Sequence, residues 1–241
     1  MTNIGVTGCI GGSNQELPRV SVIIPTLNEA ANLEYVLPRI PYSVGEILIV
    51  DGHSIDDTTA VAKRLHPKVR VIYQKGRGKG DALRFGFAEA TGDFIVTIDA
   101  DGSMRPEEMA RFLEPLSDGY EVAKGTRFKG DGGSSDMQTL RVLGNWVFVK
   151  LVNLLYGARY TDLAYGYNAF KKQCLTKVKL NALGFEIETE MAIKFKKAGL
   201  RITEIPSYED VRLHGTSNLH TFRDGWRIFR LIIKEFLNGR T

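Results

Sequence analysis

Four short apolar runs, each set off by a stretch of helical periodicity, govern what this chain can fold into. They are VSVII at 20–24, EILIV at 46–50, VRVIY at 69–73 and DFIVTI at 93–98. Their length and β-branched content suit strands buried on both faces. Helical patterns follow them at 28–39, 57–65, 79–90 and 106–116. In the first, Leu33, Val36 and Leu37 share a face and Asn28 is placed to cap the start; in the last, Pro106 sits in the first turn. Parallel neighbours need a crossover of a dozen or more residues, and a helix supplies it. The repeated unit therefore predicts an α/β fold with a mainly parallel, doubly wound sheet. Ligands of such sheets bind at the carboxyl ends of the strands, where the strand order reverses.

The second half is less regular. A strand-like run at 121–125 precedes a glycine-rich stretch at 129–135 that reads as a flexible loop. Helices are expected at 138–155, 186–198 and 220–237, and strands at 167–171 and 201–205. In the final helix Phe222, Trp226, Phe229, Ile232, Ile233 and Phe236 are expected on one face, with Arg223, Arg227, Arg230 and Lys234 among them. That pattern suits either packing on the domain or lying on an anionic membrane surface.

The length of 241 residues allows one sizeable domain. Residues 1–18, with Gly5, Gly8, Gly11 and Gly12, read as a flexible leader, without the basic start and apolar run of a secretion signal. Cys9 and Cys174 are too few and too far apart for a metal knuckle or a disulfide framework, so reduced thiols and a cytoplasmic setting are expected. No window of about 18 apolar residues predicts a membrane span. The net charge of +4 fits contact with phosphate or anionic lipid, but is too small and dispersed for nucleic acid.

The chemistry concentrates at strand ends. Asp99 and Asp101 follow the fourth strand and are spaced by one residue, so both point to the same side. A hard divalent cation would relieve their repulsion and keep coordination sites for substrate phosphates. A solvated acidic turn ahead of the next helix is the other reading. KGRGKG at 75–80 opens a helix, where glycines let the backbone approach a phosphate and Arg77 and Lys79 add charge.

Taken together, VIIPTLNE at 22–29, IVDGHSIDDT at 49–58, KGRGKGDA at 75–82 and TGDFIVTIDAD at 91–101 resemble family 2 glycosyltransferases of the GT-A fold. The resemblance runs from about Val20 to the C-terminus and includes Gly125-Thr-Arg127, Gly144-Asn145, Thr161-Asp162 and GFEIETEM at 184–191. Within the family the chain is most similar to polyprenyl-phosphate (dolichol-phosphate) hexosyltransferases. The resemblance implies a single catalytic domain at 19–241, with a nucleotide-sugar and metal half at 19–128, an acceptor half at 129–218 and an amphipathic helix at 219–241. It implies inverting transfer of a hexose from a GDP- or UDP-sugar to a polyprenyl phosphate or related lipid-linked acceptor. Mg²⁺ or Mn²⁺ would sit on Asp99 and Asp101. Pro25, Leu27, Asn28, Glu29 and Asp51 would hold the nucleoside, and Lys79, Gly80, Asp99, Ala100 and Asp101 the diphosphate. Asp101, Arg127, Asp162 and Arg212 would form the catalytic set, and Arg127, Tyr165, Tyr167, Glu188, His214 and Ser217 the acceptor side. Many relatives carry membrane helices after this domain, which implies peripheral contact with the inner face of the membrane or a separate membrane-protein partner.

Three departures stand out. Gly52-His53 replaces a more usual Asp-Gly, Ser103 stands where a glutamine is common, and LAYGYN at 163–168 replaces a Ser-Gly-Phe-Arg-like run. Tyr165 and Tyr167 would suit either stacking on a sugar or core packing. Two other activities stay open. A hydroxyl acceptor would need a base, with Asp162 the candidate. A sugar-phosphate nucleotidyltransferase would need a Gly-Gly-x-Gly-Thr-Arg-like loop after the first strand, where Pro-Thr-Leu-Asn-Glu stands instead.

Overall fold

A computed structural model describes residues 18–239. The expected leader, Pro18 apart, lies outside the described residues, as does Cys9.

The first half follows the predicted alternation: β1 (Val20–Thr26), α1 (Ala30–Val36), β2 (Glu46–Asp51), α2 (Thr58–Leu65), β3 (Arg70–Tyr73), α3 (Lys79–Glu89), β4 (Phe94–Thr97) and α4 (Met109–Ser117). Short 3-10 turns extend α1 over Leu37–Arg39 and precede α4 at Pro106–Glu108. The second half adds β5 (Val122–Thr126), β6 (Gly133–Ser134), α5 (Thr139–Tyr156), β7 (Asn168–Lys171), α6 (Ile187–Lys197), β8 (Ile202–Pro206), β9 (Tyr208–Glu209) and α7 (Thr221–Leu237).

Seven strands form one sheet in the order β3-β2-β1-β4-β7-β5-β8. The order reverses beside β1, whose neighbours are β2 on one edge and β4 on the other. β7 runs antiparallel between β4 and β5, and the remaining pairs are parallel. Periodicity cannot reveal that reversal, because a central strand is apolar whichever way it runs. The stretch expected as a loop at 129–135 contains β6, which pairs with β9 to make a two-stranded ribbon over the strand ends. Two residues with glycine among them carry no strand signal of their own.

The core has two faces, one on each side of the sheet. Val22 and Ile24 of β1 pack with Leu33, Val96, Phe112 and Tyr167 on one side. Ile23, between them in sequence, packs with Val50, Leu83, Phe87 and Phe195 on the other. This alternation is the period-two geometry of a strand buried on both faces. A third cluster joins α5, α6 and α7 through Val149, Val152, Ile193, Ile228 and Ile232. The apolar residues of α7 are only partly covered: Ile228 and Ile232 are buried, while Phe222, Trp226 and Phe229 are exposed.

The contact of α3 with the sheet depends on a missing side chain. A Cβ on Gly86 would lie 2.6 Å from Ile23 Cγ2 and 3.0 Å from Val50 Cγ2. Alanine gains about 1 kcal/mol in helix propensity, but overpacking a core costs about 1–3 kcal/mol. Both methyl groups belong to fully buried β-branched residues that cannot swing aside. Gly86→Ala is therefore expected to destabilise the protein by about 1 kcal/mol, read from denaturant unfolding; a more stable variant would contradict this packing.

Candidate active site

The carboxyl ends of β1, β2, β3 and β4 open on a cleft of about 320 Å³ whose far wall is α5 and α7. Pro25, Thr26, Leu27, Gly52, Gln74 and Gly78 line one end; Lys79, Asp99, Ala100, Asp101, Ser103 and Arg212 the middle; and Met137, Leu140, Arg141, Phe148 and Ile228 the other.

At the first end the loops after β1 and β2 are stapled to each other. The Asn28 backbone N–H donates to Ser54 Oγ (2.9 Å), and the Ile55 N–H donates to Asn28 Oδ1 (2.8 Å). Asn28 adopts φ +57°, a left-handed conformation that asparagine tolerates. Its side chain is thereby committed to the neighbouring loop, and α1 begins after Glu29 without a side-chain cap, contrary to expectation. Asp57 precedes α2 without a side-chain cap bond, whereas Asp56 accepts hydrogen bonds from the N–H groups of Thr58 and Ala30. Asp51 is only 1% exposed. Its carboxylate accepts from the Ser54 N–H (2.8 Å), the Ser54 hydroxyl (2.6 Å) and the Thr26 hydroxyl (3.1 Å). The expected reading of base or ribose by Asp51 does not fit this burial; the residue braces two loops instead.

Gly78 and Gly80 also serve an internal contact. A Cβ on Gly78 (φ +94°) would lie 2.4 Å from the Leu183 carbonyl, and one on Gly80 2.6 Å from that of Ala182. The glycines seat residues 182–184 against the start of α3, which leaves Lys79 as the group from this motif that enters the site.

In the middle each carboxylate of the acidic pair carries a cation. Lys79 Nζ lies 2.6 Å from Asp99 Oδ1 and 2.8 Å from Glu188 Oε1. Burial works against the charge on Lys79, but Asp99 and then Glu188 outweigh it and raise its pKa. Glu188, 4% exposed, has its own pKa raised by burial, which Lys79 opposes and Asp99 reinforces. Asp101 accepts from Ser103 through Oδ1 (N–H 3.0 Å, hydroxyl 2.7 Å), while its Oδ2 lies 3.1 Å from Arg212. Arg212 also donates to Glu29 (3.0 Å), whose pKa burial raises against the opposing hydrogen bonds of Asn32 and Arg212. The segment carrying Arg212 is tied down along its length. Leu213 N–H donates to the Asp101 carbonyl (3.2 Å), and Asn32 binds the backbone of His214 at both N–H and carbonyl (3.0 and 3.2 Å). His214 thus contributes its main chain, while Ser217 reaches the cleft rim.

Gly166 makes the Lys79 pair possible. A Cβ there would stand 2.8 Å from Lys79 Nζ and 2.9 Å from Asp99 Oδ2.

The donor set suits a hard cation. Asp99 and Asp101 both face the cleft, and among the described residues no third His, Cys, Asp or Glu completes a metal cluster with them. Two carboxylates with an open side match Mg²⁺ or Mn²⁺ sharing its shell with water and phosphate. Ser103 supports Asp101 by hydrogen bonding and is itself 4% exposed.

The acceptor set needs correction. Tyr165 and Tyr167 are fully buried. Tyr165 bonds Ser207 through its hydroxyl (2.9 Å), and Tyr167 stacks on Phe112 at 4.1 Å, so neither offers a face to a sugar. Phe112 of α4 covers Tyr167, while Gly125, Arg127 and Ser207 surround Tyr165. Glu190 is likewise structural, accepting from the N–H groups of Asn181 and Ala182. Arg127 lines the cleft, but its guanidinium is committed: Nε and NH2 grip Asp162 (2.7 and 3.0 Å), and NH1 lies on Glu209 (3.0 Å). Asp162 has no exposed surface and does not line the cleft. Burial raises its pKa, but Arg127 and then Lys124 more than reverse this, so the group is held below the usual carboxylate range. An ionised, enclosed, arginine-bound carboxylate is not a general base.

Among the cleft residues that escaped the sequence reading, Gln74 and Arg141 carry polar groups into it. Gln74 directly follows β3, at the strand end where ligands of such sheets bind. Arg141 stands in the first turn of α5, with its Nε buried and without a hydrogen-bond partner among the described residues.

A group with a depressed pKa contributes stability that is complete above its unfolded value, about pH 4, and lost as pH falls through the folded value. Asp162→Asn leaves the Arg127 charge buried with a weaker partner, and is expected to cost about 3–5 kcal/mol near neutrality. The gap between wild type and variant should close below about pH 4. Denaturant unfolding across this range checks it, and a gap independent of pH would exclude an ionised Asp162.

Residues 21–178 match the model of the family described as glycosyl transferase family 2. Glycosyltransferase AglJ of Haloferax volcanii is 32% identical over 217 residues, 87% of this chain and 69% of that protein. A dolichol-phosphate mannosyltransferase of Pyrococcus furiosus is 34% identical over 210 residues, covering 83% of this chain and 59% of the relative. An undecaprenyl-phosphate mannosyltransferase of Micrococcus luteus is 32% identical over 202 residues, covering 78% and 82%. The chain thus spans between 59% and 82% of the length of these three relatives. Among solved structures, glucosyl-3-phosphoglycerate synthase from Mycobacterium tuberculosis, in complex with Mn²⁺, UDP and glucosyl-3-phosphoglycerate, superposes with a TM-score of 0.72 at 24% identity. That match covers 90% of this chain and 80% of the synthase, and establishes the shared fold. On the family match across most of its length, the chain belongs to the family 2 glycosyltransferases and has their GT-A fold.

Proposed function

We propose that the chain transfers a hexose from a nucleotide diphosphate-sugar to a polyprenyl phosphate or related lipid-linked acceptor, by a single in-line displacement with inversion. The observation that carries this is the two-ended cleft. A polar middle with Lys79, Asp99, Asp101 and Arg212 runs into an apolar end at Met137, Leu140, Phe148 and Ile228. A donor diphosphate suits the first, and the first isoprene units of a lipid phosphate the second. Two relatives bear names of lipid-phosphate mannosyltransferases, which supports the same reading.

A divalent cation on Asp99 and Asp101 would offset the charge that develops on the departing nucleoside diphosphate. Lys79 holds Asp99 in place from behind, against Glu188. Arg212, between Glu29 and Asp101, is within reach of a diphosphate lying along the acidic pair. Arg141 stands where the polar and apolar ends meet, with donors to offer an acceptor phosphate. A phosphate acceptor attacks through an existing oxyanion and needs no base, which accords with the enclosure of Asp162.

Membrane contact follows from the same wall. No helix among the described residues is long and apolar enough to cross a membrane. Yet α5 exposes Leu143 and Trp146, and α7 exposes Phe222, Trp226 and Phe229 beside Arg223, Arg227, Arg230 and Lys234. The acidic residues of α7, Asp224 and Glu235, are buried. Aromatic side chains among exposed cations suit an anionic bilayer surface.

Incubation with a panel of GDP- and UDP-sugars, Mg²⁺ or Mn²⁺ and a short polyprenyl phosphate tests the proposal. Transfer from at least one donor is expected, abolished by EDTA and by Asp101→Asn. Arg141→Ala should raise the KM for the acceptor about tenfold while leaving donor affinity within about twofold. Transfer to hydroxyl acceptors alone would overturn the lipid-phosphate reading.

A further inference from the structure

Specificity for the donor base needs a polar group that the protein has not already used, and at the β1–β2–β3 end of the cleft such groups are scarce. Pro25, Leu27, Gly52 and Gly78 offer no polar side-chain atom. The Thr26 hydroxyl is committed to Asp51, and Asp51 itself is enclosed with three donors upon it. Gln74 remains.

Its backbone is fixed on both sides: its N–H donates to the Asp51 carbonyl (3.1 Å), and its carbonyl meets His53 Nε2 (3.0 Å). Its side chain is fixed as well. Nε2 lies 3.1 Å from the Gly76 carbonyl, an acceptor only, so the amide nitrogen must face Gly76 and the orientation of the amide is settled by chemistry. That leaves Oε1 with no protein donor among the described residues, on a side chain that lines the cleft. Gly52 lies beside it in the cleft: a Cβ there would stand 3.6 Å from Gln74 Nε2, an ordinary contact distance.

From this geometry we infer that Gln74 is the residue that reads the donor base, its Oε1 accepting a hydrogen bond from the ring N–H of a lactam base, uracil or guanine. Cytosine and adenine carry a lone pair at the corresponding ring nitrogen, which would face the carbonyl oxygen and be repelled. The pinned amide makes this discrimination without ordering a side chain on binding, because the Gly76 contact has already fixed the rotamer. The inference rests on the nucleotide-sugar donor proposed above and adds the residue that selects its base.

The experiment is calorimetric titration of the protein with UDP, GDP, CDP and ADP in the presence of Mn²⁺, repeated for Gln74→Leu and Gln74→Glu. In the wild type, UDP or GDP is expected to bind about tenfold more tightly than both CDP and ADP, the worth of one hydrogen bond. Gln74→Leu should bring that ratio close to one, and Gln74→Glu, whose carboxylate cannot donate to the Gly76 carbonyl and so loses the pinned orientation, should reduce it as well. A ratio that survives in Gln74→Leu, or a wild type that binds all four alike, would overturn the role of Gln74 and leave the donor reading standing. Failure of all four to bind would overturn both.

Discussion

Two carboxylates at one strand end repel each other, and the arrangement of the cleft follows from how that repulsion is met. Lys79 stands on Asp99 and Arg212 on Asp101, and each cation is shared with a second acid, Glu188 or Glu29. The four partners come from distant parts of the chain: the start of α3, the start of α6, the loop after β1 and the segment after β9. Charge pairing at the acidic pair therefore holds those segments around the cleft. The two pairings differ in depth. Lys79 sits against the sheet, where Gly166 leaves it room, whereas Arg212 rides on a surface segment. The first is a fixed part of the floor; the second reaches the acidic pair from a segment held by the backbone of Asp101 and the side chain of Asn32.

A second buried charge system stands at the end of β5. Arg127 joins Asp162 to Glu209 and lies 4.9 Å from the ring centre of Tyr165. Burial of such charges is tolerable only when every donor is met, and here Nε, NH1 and NH2 all have carboxylate partners. Its effect is positional. Glu209 belongs to β9, so the arginine ties the two-stranded ribbon to the end of β5 and fixes where the segment bearing Arg212 departs.

Much of this was legible in the sequence because the signals were local. Strand length, β-branched content and helix periodicity in 20–116 gave the alternating half nearly residue by residue, and the spacing of Asp99 and Asp101 placed both on one side of a strand end. What escaped depended on contacts between distant segments. The antiparallel course of β7 leaves no trace in its composition, and the contacts with Phe112 and Ser207 that bury Tyr167 and Tyr165 come from distant segments. Asp51 looked available because it ends a strand; the hydroxyls of Thr26 and Ser54 that enclose it are visible only after β1 and β2 pair. Gln74 is the instructive omission, since the rule that ligands gather at carboxyl strand ends applies to β3 as well as to its neighbours. The glycines after it carry the louder signal, but their freedom is used by Leu183 and Ala182.

The wall formed by α5 and α7 obeys a different constraint from the sheet. A helix that merely covers a core has one apolar stripe and a polar outer face. Here the inner stripe is present, with Val149 and Val152 meeting Ile228 and Ile232, but the outer side is apolar too, at Leu143, Trp146, Phe222 and Trp226. Helix α5 contains no acidic residue, and its charged side chains are Arg141 on the cleft and Lys150 outside. Folding alone gives no reason to leave two tryptophans on the surface. The lipid-phosphate acceptor proposed above would supply one: with its head in the cleft and its tail in a lipid phase, the wall that admits the tail would also meet the membrane, and both of its sides would need to be apolar.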